Sequence, residues 1–274
     1  MSSFIWTYWH QGFDGAPEIV QQCIARWEEL HPDWELIKLD AQTVGAYVDP
    51  LPVKTETLEK MLIPHRSDLI RTQLLIQYGG VWADPTTYPV QKLSDWLPTR
   101  TDSTLFLFHK PGRDRIIANW FIAAEKNNNL LQRLYDSLIL YWDQNDFRNF
   151  DRQKKSNIEY WSKRIINGRS LALSQIWLSS FFTKALRLYP YMVYHFMFYK
   201  LIRTEPACRQ IYDQMVKISA QGPHILQREG LLEPLSQEAK LAIDKRKYPL
   251  FKLKWKLDST DIPKGSNLDY LLHR

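Results

Sequence analysis

Cysteine is nearly absent from this chain: Cys23 and Cys208 stand far apart and outside any CxxC. Neither a disulfide framework nor a thiolate zinc site can be built from them, and a reducing, cytoplasmic setting is the expectation. With 10 glycines and 15 prolines, the chain has too little of either for a fibrous or low-complexity protein. No apolar run approaches the roughly 18 residues of a membrane span. The opening MSSFIWTYWHQG has no positive n-region and no apolar h-region, so no signal peptide is expected. Also missing are the nucleophile elbow, the HExxH zinc motif, the phosphate-binding P-loop and the GxGxxG turn. The 7 histidines never pair at metal-ligand spacing.

What is present is 274 residues with 45% apolar and 24% charged content, enough to bury one sizeable core. The net charge of +6 is unevenly placed. One basic block holds Arg148, Arg152, Lys154, Lys155, Lys163, Arg164 and Arg169, and a second runs from Lys240 to Lys256. Such blocks attract phosphate oxygens, whether on nucleic acid, lipid or a phosphorylated substrate, or simply form a solvated face. Eleven tryptophans offer flat faces for stacking, although most tryptophans in any chain are core.

Strand and helix signals alternate through the first part of the chain. Phe4 to Trp9 reads as a strand, a helix follows from Pro17 to Leu30, and Trp34 to Leu39 reads as a second strand. Pro64 opens a helix that runs to Tyr78 and stops at Gly79. Val81 to Ala83 is a third strand, ended by Asp84-Pro85, and Leu105 to Phe108 a fourth. This pattern predicts an α/β fold with a mainly parallel sheet, in which ligands bind beyond the carboxyl ends of the strands. Asp84 stands at such an end. From Asn129 onward the chain reads as mainly helical, with helices over Leu130 to Tyr141, Leu171 to Leu188 and Pro206 to Ile218. The aromatic segment Tyr189 to Ile202 suits either a buried core helix, the favoured reading, or a membrane interface. No repeat or linker divides the chain. It is expected to be a single domain with an α/β part over 1–128 and a mainly helical part over 129–274.

The chemistry concentrates in His65-Arg66-Ser67-Asp68-Leu69-Ile70-Arg71 and Tyr78-Gly79-Gly80-Val81-Trp82-Ala83-Asp84-Pro85-Thr86. Asp68 and Arg71 share a helical face and either form a surface ion pair or meet one ligand together. Asp84 and Thr86 present hard oxygens suited to Mg²⁺ or Mn²⁺ on a diphosphate, or else belong to an ordinary proline turn.

Taken in order, SDxxR, then two glycines, then a strand ending in Asp resembles the DxD-containing sugar transferases: the Och1-like mannosyltransferases, the glucosylating toxin domains and, above all, the capsular polysaccharide synthesis family. The last resemblance extends over nearly the whole chain through Phe4-Ile5-Trp6, Cys23 to Trp34, Asn119 to Ala124, Tyr194-His195, His224-Ile225-Leu226 and Lys252 to Trp255. It implies a GT-A-like, Rossmann-type sheet and a glycosyltransferase acting on a nucleotide sugar, UDP-linked by preference, with retention of configuration. The implied acceptor is a glycan or lipid-linked glycan in capsule or surface-polysaccharide synthesis. Contact with the inner face of the membrane through the basic blocks and Tyr189 to Ile202 follows from that acceptor, and the 129–274 part becomes the acceptor side.

By the same resemblance Asp84, Arg71 and Asn119 are catalytic, and Trp6, Asp68, Arg71, Trp82 and Lys252 bind the donor, with Trp6 stacked on its base. Asp84, Thr86 and His224 hold Mn²⁺ or Mg²⁺, with His195 a further candidate ligand or phosphate donor. Thr86 departs from strict DxD, where a second Asp stands, and this puts metal dependence in question. Two alternatives compete. One is a catalytically silent relative that still binds nucleotide sugar. The other is a basic module for anionic surfaces or nucleic acid, against which no base-reading motif is present.

Overall fold

The computed structural model describes residues 2–97, 104–148, 157–257 and 261–274. Among the described residues seven strands form: β1 (Phe4–Tyr8), β2 (Glu35–Leu39), β3 (Gly80–Ala83), β4 (Thr87–Pro89), β5 (Leu105–Gly112), β6 (Arg115–Ala124) and β7 (Leu250–Lys252). The helices of the first part are α1 (Glu18–Leu30), α2 (Thr55–Lys60), α3 (Ile63–Tyr78) and α4 (Leu93–Trp96). Those of the second are α5 (Asn129–Asp143), α6 (Asn157–Ile166), α7 (Leu171–Ser174), α8 (Val193–Thr204), α9 (Pro206–Gln214), α10 (Ile225–Glu229), α11 (Gln237–Asp244) and α12 (Asn267–Leu272).

The main sheet runs β2-β1-β3-β6-β5. Its β1–β2 and β1–β3 pairings are parallel, whereas β3–β6 and β6–β5 are antiparallel. The α/β class stands, but the sheet is mixed: the expected parallel character is confined to the β2-β1-β3 half. The reason is β6, a ten-residue strand absent from the sequence reading, which forms a hairpin with β5 through the turn at Arg113-Asp114. β4 and β7 make a separate two-stranded sheet in which Thr87 faces Lys252.

Strand alternation divides the core. Trp6, Trp82 and Ile122 point to one face and pack with α3, α5 and α8. Ile5, Val81 and Phe121 point to the other and pack with Trp27 of α1 and the Phe106–Phe108 pair. A third apolar cluster joins α1, β4 and β7 to α10, α11 and α12. Elements from both halves of the chain thus share each of the larger clusters.

α3 is buried on almost every side, Asp68 and Arg71 included, so their pairing is an interior one and not a surface ion pair. Its exit needs glycine twice. Gly79 (φ +70°) would place a Cβ 2.8 Å from Lys126 N, and Gly80 (φ +93°) one 2.6 Å from the Phe4 carbonyl. Only bare backbone fits between β1 and the end of β6.

Two helix expectations are corrected. Leu171 to Leu188 is no single helix: α7 ends after one turn, where Ser174 Oγ bonds back to Leu171 O (2.7 Å), and short 3₁₀ and π turns follow. The membrane-interface option for Tyr189 to Ile202 falls, because α8 buries Tyr194, Phe196, Met197, Phe198, Leu201 and Ile202. No described helix is long and apolar enough to cross a membrane.

Candidate active site

A cavity of about 920 Å³ opens beyond the carboxyl ends of β1 and β3. This is where the order of the parallel strands reverses, α1 leading away to β2 while β3 lies on the other side of β1. Antiparallel β6 contributes Ala118, Asn119 and Trp120 to the same rim, because Asp84 N–H donates to the Trp120 carbonyl (2.8 Å). The turn after β3 is closed by Thr87, whose N–H and hydroxyl both donate to the Asp84 carbonyl (2.9 and 2.7 Å).

Asp84 is clamped by three donors. Trp82 Nε1–H donates to its Oδ1 (2.9 Å), Arg71 Nη1 lies 3.3 Å from the same oxygen, and Lys252 Nζ donates to Oδ2 (3.2 Å). Burial alone would raise the Asp84 carboxyl, but Lys252, Arg71 and the indole N–H together hold it below the usual carboxylate value. Lys252 also donates to Thr86 Oγ1. It reaches this turn because β7 pairs with β4 and Leu253 N–H donates to the Thr86 carbonyl (2.7 Å).

Arg71 is the hub beneath. Its guanidinium lies over the Trp82 ring (4.7 Å), bonds Ser67 through Nε and Nη2, donates to the Asn119 carbonyl and pairs with Asp68 (3.4 Å). Asn119 Nδ2 closes the circuit onto Asp68 Oδ1 (2.7 Å). Asp68, Arg71, Asp84, Asn119 and Lys252 therefore form one connected group at the cavity wall. Among the described residues four cations line the cavity (Arg71, Arg115, Lys252, Lys256) against two carboxylates (Asp68, Asp84), a surplus of two positive charges.

Other predicted residues lie elsewhere. Trp6 is 1% exposed, donates Nε1–H to Gly79 O (2.9 Å) and packs on Phe4, Tyr47 and Tyr78, so it has no face to offer a nucleotide base. It occupies the core side of β1, away from the cavity. Trp82 is likewise buried and supports Asp84 from behind instead of lining a donor pocket.

His224 does line the cavity, edge-on to Trp120 (5.5 Å), with its pKa pushed down to about 4 by burial and the nearby Lys252. His195 also reaches the wall; burial, then Arg115 and Arg71, hold it neutral, and its Nδ1 has no hydrogen-bond partner among the described residues.

A divalent cation does not fit this donor set. Of the three expected ligands, the Asp84 and Thr86 oxygens already accept from Lys252, and the His224 imidazole lies near the same ammonium. Among the described residues no group of three or more His, Cys, Asp or Glu side chains is arranged to hold a metal.

Trp9 and Trp255 were not singled out by the sequence reading, although both line the cavity, with ring centroids 5.4 Å apart and edge to face. Trp9 had a signal: it is the residue just past the carboxyl end of β1, where such sheets bind ligands. Trp255 stood in the Lys252 to Trp255 segment of the family resemblance, but only the return of β7 brings it to the cavity.

The open cavity thus gathers excess positive charge at a strand crossover of an α/β sheet, a setting in which anions are attracted. The profile described as capsular polysaccharide synthesis protein matches residues 1–149 and 147–271, and the chain belongs to that family. It is 29% identical over 158 residues to the O-glycosyltransferase braB of Annulohypoxylon truncatum, covering 51% of this chain and 37% of that protein. It is 26% identical over 182 residues to HOC1 of Saccharomyces cerevisiae, covering 58% and 46%. The chain thus spans less than half the length of these curated relatives. Among solved structures, the PaToxG glycosyltransferase aligns over 89% of this chain and 84% of that one, at 13% identity and a TM-score of 0.42.

Proposed function

We propose that this chain is a GT-A-like glycosyltransferase that moves a hexosyl group from a nucleotide sugar, UDP-linked by preference, to a glycan or lipid-linked glycan acceptor in capsule or surface-polysaccharide synthesis. The observation that carries the reading is the cation-rich cavity built around the Asp84 clamp at the strand crossover. Glycosyl transfer passes through an oxocarbenium-like state while a nucleoside diphosphate departs as an anion, so fixed cations at the leaving group are the useful catalysts. Lys252, Arg115 and Lys256 stand at the cavity to meet that charge. Asp68, Asn119 and Arg71 position Asp84 and present polar edges to the sugar. Trp9 and Trp255, in place of Trp6, offer the faces on which a base could stack.

Retention is taken from the family resemblance. The carboxylates lining the cavity, Asp68 and Asp84, are both paired with Arg71, and Asp84 also with Lys252. In the retaining course the bond from the anomeric carbon to phosphate breaks, the acceptor oxygen bonds that carbon on the same face, and the departing phosphate oxygen takes the acceptor proton. Of the cavity residues in the mainly helical 129–274 part, Tyr191, Met192 and His195 are assigned to the acceptor, and Lys252, Trp255 and Lys256 to the donor. If the acceptor is lipid-linked, membrane contact falls to the exposed Tyr160, Trp161 and Ile165 of α6 beside Lys163 and Arg164, not to buried α8; Arg152, Lys154 and Lys155 lie outside the described residues.

The test is a thermal-shift and nucleotide-release screen of UDP-, GDP- and dTDP-sugars. A donor that raises the melting temperature and releases nucleoside diphosphate with an oligosaccharide acceptor supports the reading. Binding without turnover would favour the catalytically silent alternative, and no shift with any nucleotide would remove the donor site.

A further inference from the structure

Resting on the nucleotide-sugar reading, we infer that the Lys252 ammonium takes the place of a divalent metal at the Asp84–Thr86 turn, so that the chain binds a diphosphate without metal. The two oxygens that face the cavity from this turn both meet Lys252 Nζ, and the remaining carboxylate oxygen is held by Trp82 and Arg71. A metal entering here would have to displace one cation and stand beside another. Thr86 fits the exchange: a hydroxyl in place of a second carboxylate removes one negative charge, and a single ammonium replaces a dication.

The ammonium is built in and not a surface side chain that has folded inward. Lys252 is 14% exposed at its side chain. Its backbone is fixed on both sides, N–H to the Pro223 carbonyl (2.9 Å) and carbonyl to Gln227 Nε2 (2.9 Å), while the β4–β7 register sets it opposite Thr87. An ammonium has three N–H donors, of which Asp84 and Thr86 take two. The third has no partner among the described residues and is offered to a phosphate oxygen in the cavity that Lys252 lines.

UDP affinity measured by calorimetry on protein stripped with EDTA, then with Mn²⁺ or Mg²⁺ restored, reads the assignment directly, and electron paramagnetic resonance of added Mn²⁺ reads metal occupancy without any donor. The expected result is UDP affinity equal in all three conditions and no tight Mn²⁺ site. Lys252→Met, checked for folding by its melt, loses about tenfold or more in UDP affinity. Lys252→Asp restores an acidic pair with Asp84 and binds UDP only with Mn²⁺. About tenfold tighter UDP binding with Mn²⁺ in the unaltered protein, or a stoichiometric Mn²⁺ signal lost in Asp84→Asn, overturns the inference while leaving the transferase reading in place. If UDP and GDP bind in none of these conditions, the donor reading fails and the role of Lys252 falls with it.

Discussion

Substituting Asp84 by Asn removes one charge and almost no volume, and its consequence follows from the three donors around that side chain. Trp82 and Arg71 can still donate to an amide oxygen at Oδ1, but the amide NH₂ then faces the Lys252 ammonium, donor against donor. Lys252 and the buried Arg71 are left undercompensated. Breaking a fully buried pair costs about 3–5 kcal/mol. Because the Asp84 side chain is 24% exposed, the expected loss is smaller, about 2–3 kcal/mol. A chain of this length has an unfolding entropy that converts each kcal/mol into about 2 °C, so the melting temperature should fall by roughly 4–6 °C.

Calorimetric melts of Asp84→Asn, Lys252→Met and the double variant close a mutant cycle. The double variant should be more stable than the sum of the singles implies, by about 1 kcal/mol or more, since removing both charges leaves neither one stranded. An unchanged melting temperature for Asp84→Asn, or strict additivity in the cycle, would refute the clamp.

Trp9→Ala and Trp255→Ala should each weaken nucleotide binding by about 1–3 kcal/mol if the rings stack on the base, whereas Trp6→Phe should lower the melting temperature and leave donor affinity unchanged; a donor effect confined to Trp6 would reverse that assignment. His31 should make the fold acid-sensitive. Burial pushes its pKa down to about 4, and its ring both meets the Trp27 carbonyl and accepts the Leu93 N–H, an arrangement that needs the neutral imidazole. The folded value lies below the unfolded one near 6.5, so the unfolded chain binds the proton first and stability falls as pH drops through that interval, by on the order of 2 kcal/mol between about pH 7.5 and 5. Denaturant midpoints that do not shift over this range, or that shift equally in His31→Gln, would count against it. Gly80→Ala should fail to yield stable folded protein, because the added Cβ meets the Phe4 carbonyl; wild-type solubility and melting temperature would show that β1 and β3 can part there.

The local elements of the first part were legible because each rests on near neighbours in sequence: the apolar run of β1, the proline entry and apolar spacing of α1, and the glycine exit from α3. The order of Asp68, Arg71, Gly79, Gly80 and Asp84 was legible for the same reason, and it carried the family resemblance. The partners of those residues were not. Whether Asp68 and Arg71 pair on a surface or in the interior depends on what packs around α3, and that is α5, α8 and β6. Trp6 and Trp9 are chemically alike in the sequence, and the place where β1 ends leaves one within the core and puts the other at the cavity. Lys252 reaches Asp84 across 168 positions, which local pattern cannot register. Local sequence set which charged and aromatic groups were on offer; the β4–β7 pairing and the antiparallel β6 decided which of them meet, because non-local strand pairing is set by the packing of the whole chain.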